Sequence, residues 1–283
     1  MYSRGRYRHR MLRPVALLLG AVLAAAGLTA APPASAAPTC APYVNSPLRV
    51  PDADSPHGFR TVLVQRPAGT DSPRIPVIYL LHGFPGSPSD FVGSGVVTAL
   101  ERAACAQGRS VVLAEPDGTA GHLDAEWADD VDGRTDLETF VTGPVIAAVE
   151  GAAVRSRSHR TIAGFSMGGF GAAAIGLRHP DLYQRVVSLA GYFHLDDPDH
   201  VFGNTRSVYR RHQPDVIAAP AHQGFFLIDG ADDPLQLTMD ETPRFAKVLQ
   251  DRHIPVTARI VAGGHDVALL GHVAAAVIRY TNS

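Results

Sequence analysis

Short apolar runs alternate with longer amphipathic segments from about residue 58 to the end of the chain. Several runs are apolar at consecutive positions, as in Pro76–Leu81 (PVIYLL). Apolar side chains on both faces are typical of strands that are covered on both sides of a parallel sheet. The predicted strands are Phe59–Arg66, Pro76–Leu81, Ser110–Ala114, Thr161–Gly164, Arg185–Ala190, Phe225–Asp229 and Val256–Val261.

Segments with helical spacing of apolar residues lie between these strands. The predicted helices are Val96–Ala106, Leu137–Val154, Met167–Arg178, Glu241–Arg252 and Val267–Tyr280, and Pro144 should bend or break the second. Strands separated by helices predict right-handed crossovers and a doubly wound sheet. We therefore expect an α/β fold with a mostly parallel sheet, one domain over residues 58–283, and an N-terminal arm over residues 37–57.

Residues 1–36 have the pattern of a secretory signal peptide. Five arginines precede an uncharged apolar run, Val15–Ala30, which is followed by the small-residue site Ala34-Ser35-Ala36. The alternative, a permanent membrane anchor, fits less well because the run is shorter than the ~20 residues of a span and Pro32 and Pro33 follow it. We expect a secreted protein that begins near Ala37 and has no stable membrane anchor.

Charge and cysteine content argue against a nucleic-acid-binding protein and against a small disulfide-built scaffold. Removing the five arginines of the leader from 25 basic residues leaves 20 against 27 acidic ones, a net charge of −7. A protein this acidic is not expected to bind nucleic acid. Cys40 and Cys105 are too few for a disulfide scaffold. An oxidising compartment allows them to form one disulfide, and two buried free thiols are equally compatible with the sequence.

The motif with the clearest chemistry is Gly164-Phe165-Ser166-Met167-Gly168, a G-x-S-x-G sequence between a predicted strand and a predicted helix. This context predicts a nucleophile elbow, in which the serine lies on a strained strand-to-helix turn. A glycine-rich structural turn is the alternative. A serine hydroxyl needs a base to accept its proton, and His265 is the candidate because it follows the last predicted strand.

The acid that orients this histidine should follow the strand Phe225–Asp229. The segment Asp229-Gly230-Ala231-Asp232-Asp233 offers three carboxylates, of which we favour Asp233 and place Asp232 second. An oxyanion hole needs backbone N–H groups at the same edge of the sheet. The amides of Phe84, in the loop after PVIYLL, and Met167, after the serine, are the candidates. A plain tight turn after the strand is the alternative.

Together these motifs resemble the esterase-D-like α/β-hydrolases. The matching segments are Leu80-Leu81-His82-Gly83, Gly164–Gly169, Gly230–Asp233 and Gly263-Gly264-His265-Asp266, in the family's order. This family includes secreted esterases, feruloyl and acetyl esterases, S-formylglutathione hydrolases and the secreted mycolyltransferases. The resemblance implies an α/β-hydrolase fold without a large lid domain, with Ser166 as nucleophile, Asp233 as acid and His265 as base.

Two further residues are expected to contact substrate, Trp127 from a segment at the rim of the site and His82 from the loop after PVIYLL. Trp127 stands where the mycolyltransferases have a tryptophan near their substrate, and His82 begins the loop of the oxyanion hole. The mycolyltransferases usually carry Asp-Gly instead of His82-Gly83 and Glu instead of Asp233, and both departures favour an ordinary esterase. Trp127 is equally compatible with a packing role.

Metal-type ligands also occur in two polar segments, but solvated loops are the commoner reading of both. These segments are His194–His200 and the run of Asp129, Asp130, Asp132 and Asp136. We expect no metal and no other cofactor. The favoured function is therefore a secreted serine ester hydrolase acting on a small-molecule or glycan-linked ester through an acyl-enzyme. The alternatives are an acyltransferase that uses a sugar hydroxyl, and a catalytically silent cell-wall binding protein.

Overall fold

A nine-stranded sheet forms the core of the part of the chain that the structure describes. The computed structural model describes residues 40–69, 72–194, 199–219, 222–233 and 236–283, and the predicted leader, residues 1–36, lies outside the described residues. The strands are β1 (Tyr43–Asn45), β2 (Leu48–Pro51), β3 (Phe59–Pro67), β4 (Val77–Leu81), β5 (Val112–Pro116), β6 (Arg160–Phe165), β7 (Arg185–Leu189), β8 (Gly224–Gly230) and β9 (Val256–Val261).

The sheet is mostly parallel, as expected. Its order is β1-β3-β5-β4-β6-β7-β8-β9, and β2 pairs with β3 beside this path. All pairs from β5 to β9 are parallel, whereas β3 runs antiparallel to β1, β2 and β5. The segment 37–57, expected as an arm, supplies β1 and β2 and is therefore part of the sheet. Strands of three and four residues are too short to be detected by a period-2 pattern.

The helices are α1 (Ser89–Gly93), α2 (Val96–Ala106), α3 (Leu137–Phe140), α4 (Ile146–Glu150), α5 (Met167–Arg178), α6 (Arg206–His212), α7 (Pro214–Ile217), α8 (Gln236–Asp251), α9 (Leu269–His272) and α10 (Ala274–Thr281). The expected interruption at Pro144 takes the form of a π-helical turn, Val141–Val145, between α3 and α4. A proline removes one backbone donor, and the wider turn accommodates it. Between β6 and β8 the described residues contain α5 to α7 and no separate lid domain.

Two apolar layers cover the sheet, one on each face. Along β4, Val77, Tyr79 and Leu81 belong to one buried cluster, and Ile78 and Leu80 belong to the other. This alternation is the period of a strand, and burial of both sets explains why PVIYLL is apolar throughout. Residues of α3, α4, α5 and α8 belong to the first cluster, and residues of α2, α9 and α10 belong to the second.

A disulfide between Cys40 and Cys105 joins the segment before β1 to the end of α2. Of the two states that the sequence left open, the structure therefore has the bonded one. Among the described residues, no helix is both long and apolar enough to cross a bilayer.

The direction in which successive strands are added to the sheet reverses at β4. After β4 the chain adds β5 on one side of it and then β6 on the other side. Such a reversal opens a crevice beyond the carboxyl ends of the strands, because the flanking connections leave on opposite faces. The loops after β4, β5, β6, β8 and β9 all begin at this edge.

Candidate active site

Ser166 occupies a sharp turn between β6 and α5. Its φ of +54° and ψ of −117° are rare for a residue with a side chain. The neighbouring glycines permit the turn, since a β-carbon on Gly164 would collide with the Gly168 carbonyl, and one on Gly168 with the Leu81 carbonyl. A strand–turn–helix of this form presents the serine hydroxyl at the carboxyl edge of the sheet.

His265 connects Ser166 to a buried carboxylate. Its Nε2 lies 3.0 Å from Ser166 Oγ, and its Nδ1 lies 2.8 Å from Asp233 Oδ2. A carboxylate can only accept, so Nδ1 carries the proton and Nε2 is left to accept from the serine hydroxyl. The Asp233 side chain is fully buried, whereas that of His265 is 19% exposed. The three side chains thus form one hydrogen-bonded relay that is open to solvent at the histidine.

Asp232, the second candidate acid, has a different environment. It is exposed, and its amide donates to the Gly263 carbonyl at 2.7 Å. Asp233 follows it in the chain and points to His265. The structure therefore brings Ser166, Asp233 and His265 together, while Asp232 remains on the surface.

Asp229, at the end of β8, is a buried carboxyl group beside this relay. Burial is the main cause that raises its pKa, to about 6, and the charge of Asp233 adds to the effect. The amide of Gly230 donates to Asp229 Oδ1 at 2.8 Å and opposes the shift. Of the three carboxylates in this segment, Asp229 was expected to be the strand end, and the fold places it beside Asp233.

The loop after β4 lies against the serine. A β-carbon on Gly83 would stand 3.2 Å from Ser166 Cβ, so only glycine allows this approach without displacement. The amides of Phe84 and Met167 have no hydrogen-bond partner within the described ranges. Backbone N–H groups left free beside a candidate nucleophile are suited to bind a developing oxyanion.

His82 and Trp127 are both buried, being 2% and 0% exposed, so Trp127 does not form the rim of the site, whereas His82 lines the space beside the loop after β4. The indole Nε1 donates to the His82 carbonyl at 2.9 Å, and the two rings are 5.0 Å apart. His82 Nδ1 bonds the Gly83 carbonyl, and its Nε2 accepts from the Gly118 amide, each at 2.9 Å. Burial lowers the pKa of His82, which favours the neutral ring that these bonds require.

Arg60 supports the loop after β5 and was missed by the sequence analysis. Its guanidinium pairs with buried Asp52, and its Nη1 donates to the Thr119 carbonyl at 2.7 Å. The amide of Gly118 in this loop donates to His82. The loops after β4 and β5 are therefore held together through polar side chains, although no local motif marks Arg60.

The polar segments considered for metals are occupied by contacts within the chain. Asp129 accepts from the amide and hydroxyl of Thr139, and Asp130 pairs with Arg134. Four residues of the other segment, 195–198, lie outside the described residues. Asp52, Asp54 and Asp136 lie close enough together to ligate a cation, but Asp52 is already paired with Arg60.

Comparison with solved structures identifies the fold. A ferulic acid esterase is 22% identical with a TM-score of 0.71, over 86% of this chain and 98% of its own. An S-formylglutathione hydrolase from Agrobacterium tumefaciens is 18% identical with a TM-score of 0.71, over 84% and 94%. MPT51 (FbpC1) from Mycobacterium tuberculosis is 18% identical with a TM-score of 0.63, over 84% and 98%. These similarities show the expected α/β-hydrolase fold.

A family model assigns the chain more specifically. No curated protein matches it. The Esterase family model matches residues 54–267, which include Ser166, Asp233, His265 and the strands that precede them. The match covers most of the chain and confirms the esterase resemblance of its motifs. The chain therefore belongs to the Esterase family and is a carboxylic ester hydrolase.

Proposed function

We propose that the protein is a secreted serine esterase that cleaves carboxylic esters through an acyl-enzyme on Ser166. The hydrogen-bonded order from Ser166 Oγ through His265 to Asp233, at 3.0 and 2.8 Å, is the observation that carries this proposal. It matches the geometry in which a histidine activates a serine and a carboxylate fixes the tautomer of that histidine. A catalytically silent binding protein would have no use for this arrangement beside a strained serine.

In the acylation step, Ser166 Oγ attacks the acyl carbon while its proton moves to His265 Nε2. The carbonyl oxygen becomes an oxyanion, for which the amides of Phe84 and Met167 are suited. Asp233 stabilises the imidazolium without taking its proton. The tetrahedral adduct then collapses, the bond to the alcohol oxygen breaks, and His265 gives that oxygen the proton.

In the second step, water replaces the alcohol. His265 removes a proton from water, the hydroxide attacks the ester carbon on Ser166, and collapse returns the proton to Oγ with release of the acid. The exposed fraction of the His265 side chain, 19%, supports access of water to this position.

The proposal includes export through the leader over residues 1–36. The order of arginines, apolar run and Ala34-Ser35-Ala36 supports it, as does the Cys40–Cys105 disulfide, a bond that persists in oxidising compartments. The mature enzyme would begin near Ala37. We assign residues 58–283 as the catalytic domain, with β1 and β2 extending its sheet.

The test is hydrolysis of p-nitrophenyl acetate by residues 37–283, compared with Ser166→Ala. We expect a burst of p-nitrophenol followed by turnover, and covalent labelling by a fluorophosphonate, both lost in Ser166→Ala. Ser156→Ala is the matched control, because Ser156 is exposed and precedes the opposite end of β6. Turnover that survives in Ser166→Ala would refute the proposed nucleophile. Faster consumption of ester in the presence of trehalose, with acyl-sugar formed, would favour the transferase instead.

A further inference from the structure

Two cavities share the loop of residues 82–86 beside Ser166. The larger, of about 250 Å³, is lined mainly by Phe84, Phe91, Phe165 and Val267. The smaller, of about 30 Å³, is lined by the loop after β5, including Gly118, Ala120 and Leu123, and by Met167. If each cavity lies on one side of the scissile bond, the difference in volume indicates which part of an ester, the acyl group or the alcohol, can be large.

The position of His265 makes that assignment. Its Nε2 has to protonate the alcohol oxygen, so the alcohol must lie on the histidine side of Ser166 and the acyl group on the other side. The Phe165 ring is 4.9 Å from the His265 ring, and Val267 follows His265 by two residues. The larger cavity therefore lies on the histidine side, whereas the smaller one adjoins Met167.

We propose that the small cavity holds the acyl group and the large cavity holds the alcohol, so the substrates are acetyl-sized esters of bulky apolar alcohols. The assignment rests on the proposed serine esterase mechanism. The assignment adds a substrate class to that mechanism, and it implies that Trp127 and Leu123 limit the length of the acyl group.

The small cavity has room for about two water molecules by the space that their centres can occupy. An acetyl methyl group fits this space, and a butyryl or longer chain does not. Trp127 prevents the wall from receding, because its indole occupies the position that a β-carbon on Gly118 would take, and its own β-carbon packs against Gly171. The bond from the indole Nε1 to the His82 carbonyl fixes the ring there.

The large cavity suits an apolar alcohol. Its wall is predominantly aromatic and aliphatic, from fully buried Phe91 to Phe84, whose side chain is 41% exposed. Asp90 is the acidic residue at its edge, and one oxygen of its carboxylate already accepts from the Ser87 amide at 3.0 Å. Phe84 belongs to the loop that supplies the proposed oxyanion amide, so its ring lies where it can contact the alcohol of a bound ester.

The acyl half is tested with p-nitrophenyl acetate, butyrate and octanoate, which keep the leaving group constant. We expect kcat/KM to fall at least about tenfold from acetate to butyrate. Leu123→Ala should raise the butyrate-to-acetate ratio about tenfold, and Ala120→Val should lower it. Leu249→Ala, a buried leucine on α8 of the same core, is the control and should leave the ratio unchanged.

The alcohol half is tested with ethyl acetate and 2-phenylethyl acetate, whose alcohols have similar intrinsic reactivity. We expect about tenfold higher kcat/KM for the phenylethyl ester and a smaller preference in Val267→Ser. Equal values for the two acetates, or equal values for acetate and octanoate, would overturn the corresponding assignment. Absence of hydrolysis of every ester, with Ser166 unlabelled, would instead overturn the proposed function. The two failures are therefore distinguishable.

Discussion

Asp233 contacts His265 through one hydrogen bond, in which its Oδ2 accepts from Nδ1 of the imidazole. In Asp233→Asn the side-chain amide can donate a hydrogen bond to Nδ1. The imidazole then adopts the other tautomer, in which Nε2, the atom that faces Ser166, carries the proton. We expect kcat for p-nitrophenyl acetate to fall about 10³- to 10⁴-fold with a much smaller change in KM, since a wrong tautomer cannot accept the serine proton.

Asp232→Asn is the matched control, because it makes the same chemical change one residue earlier on the surface. Its kcat should stay within about twofold of wild type. The opposite result, a large loss in Asp232→Asn and a small one in Asp233→Asn, would assign the acid to Asp232. Steady-state kinetics on the two purified variants decide between them.

Glu115 is a residue whose effect should appear in stability rather than in catalysis. It is fully buried at the end of β5, and burial raises its pKa to about 8. Gln65 opposes the shift, and Glu101 on α2 adds to it. The carboxyl is therefore neutral in the folded protein at neutral pH and ionised in the unfolded chain, which makes folding take up a proton.

Because folding takes up a proton at Glu115, the free energy of unfolding depends on pH. Below the ordinary pKa near 4.5 the carboxyl is protonated in both states and the free energy of unfolding does not change, whereas between 4.5 and about 8 it falls as pH rises. Glu115→Gln removes this loss, so its stability relative to wild type should increase steadily from pH 5 to pH 8. Urea unfolding across that range measures it, with exposed Asp181→Asn as control. A constant difference would contradict the prediction.

Among the elements, α2 is tied to the N-terminal segment by the Cys40–Cys105 disulfide, which closes a loop of 65 residues. A loop of that length corresponds to about 4 kcal/mol of unfolded-state entropy. We expect Cys40→Ser/Cys105→Ser to lower the free energy of unfolding by about that amount. The kcat should not change, because Cys105 near the end of α2 precedes the amino end of β5, opposite the site.

The elements that the sequence predicted best are those that repeat one pattern for long enough. The bounds of α2, α5 and β9 agree with the prediction, because apolar spacing, and for α5 the G-x-S-x-G turn, define them locally. The helices α1, α6 and α7 were missed. They have five, seven and four residues, and segments so short owe their conformation to tertiary packing.

In the candidate site, too, the residues in local sequence motifs were predicted, and those that depend on tertiary contacts were not. Ser166 and His265 lie in local motifs directly after predicted strands, and the parallel direction of these strands brings both residues to one edge of the sheet. Trp127 was expected either at the rim or in a packing role, and it is buried. A lone aromatic residue in a polar loop does not indicate which neighbours cover it. Arg60 was not predicted, because the loop that it supports is distant in sequence. Asp229 was one of the three candidate carboxylates, and only the fold shows that it is buried beside Asp233.

For the whole molecule, the remaining prediction concerns where the mature chain begins. Export of the full-length protein from a secreting bacterial host should yield a product starting at Ala37, since Ala34 and Ala36 are the small residues of the predicted cleavage site. Ala36→Arg should block cleavage and leave the precursor at the membrane, whereas Ser35→Ala, at the tolerant position between them, should be processed normally. Intact mass of the protein in medium and membrane fractions measures both. Recovery of an uncleaved wild-type chain in the membrane would show instead that the apolar run is a permanent anchor.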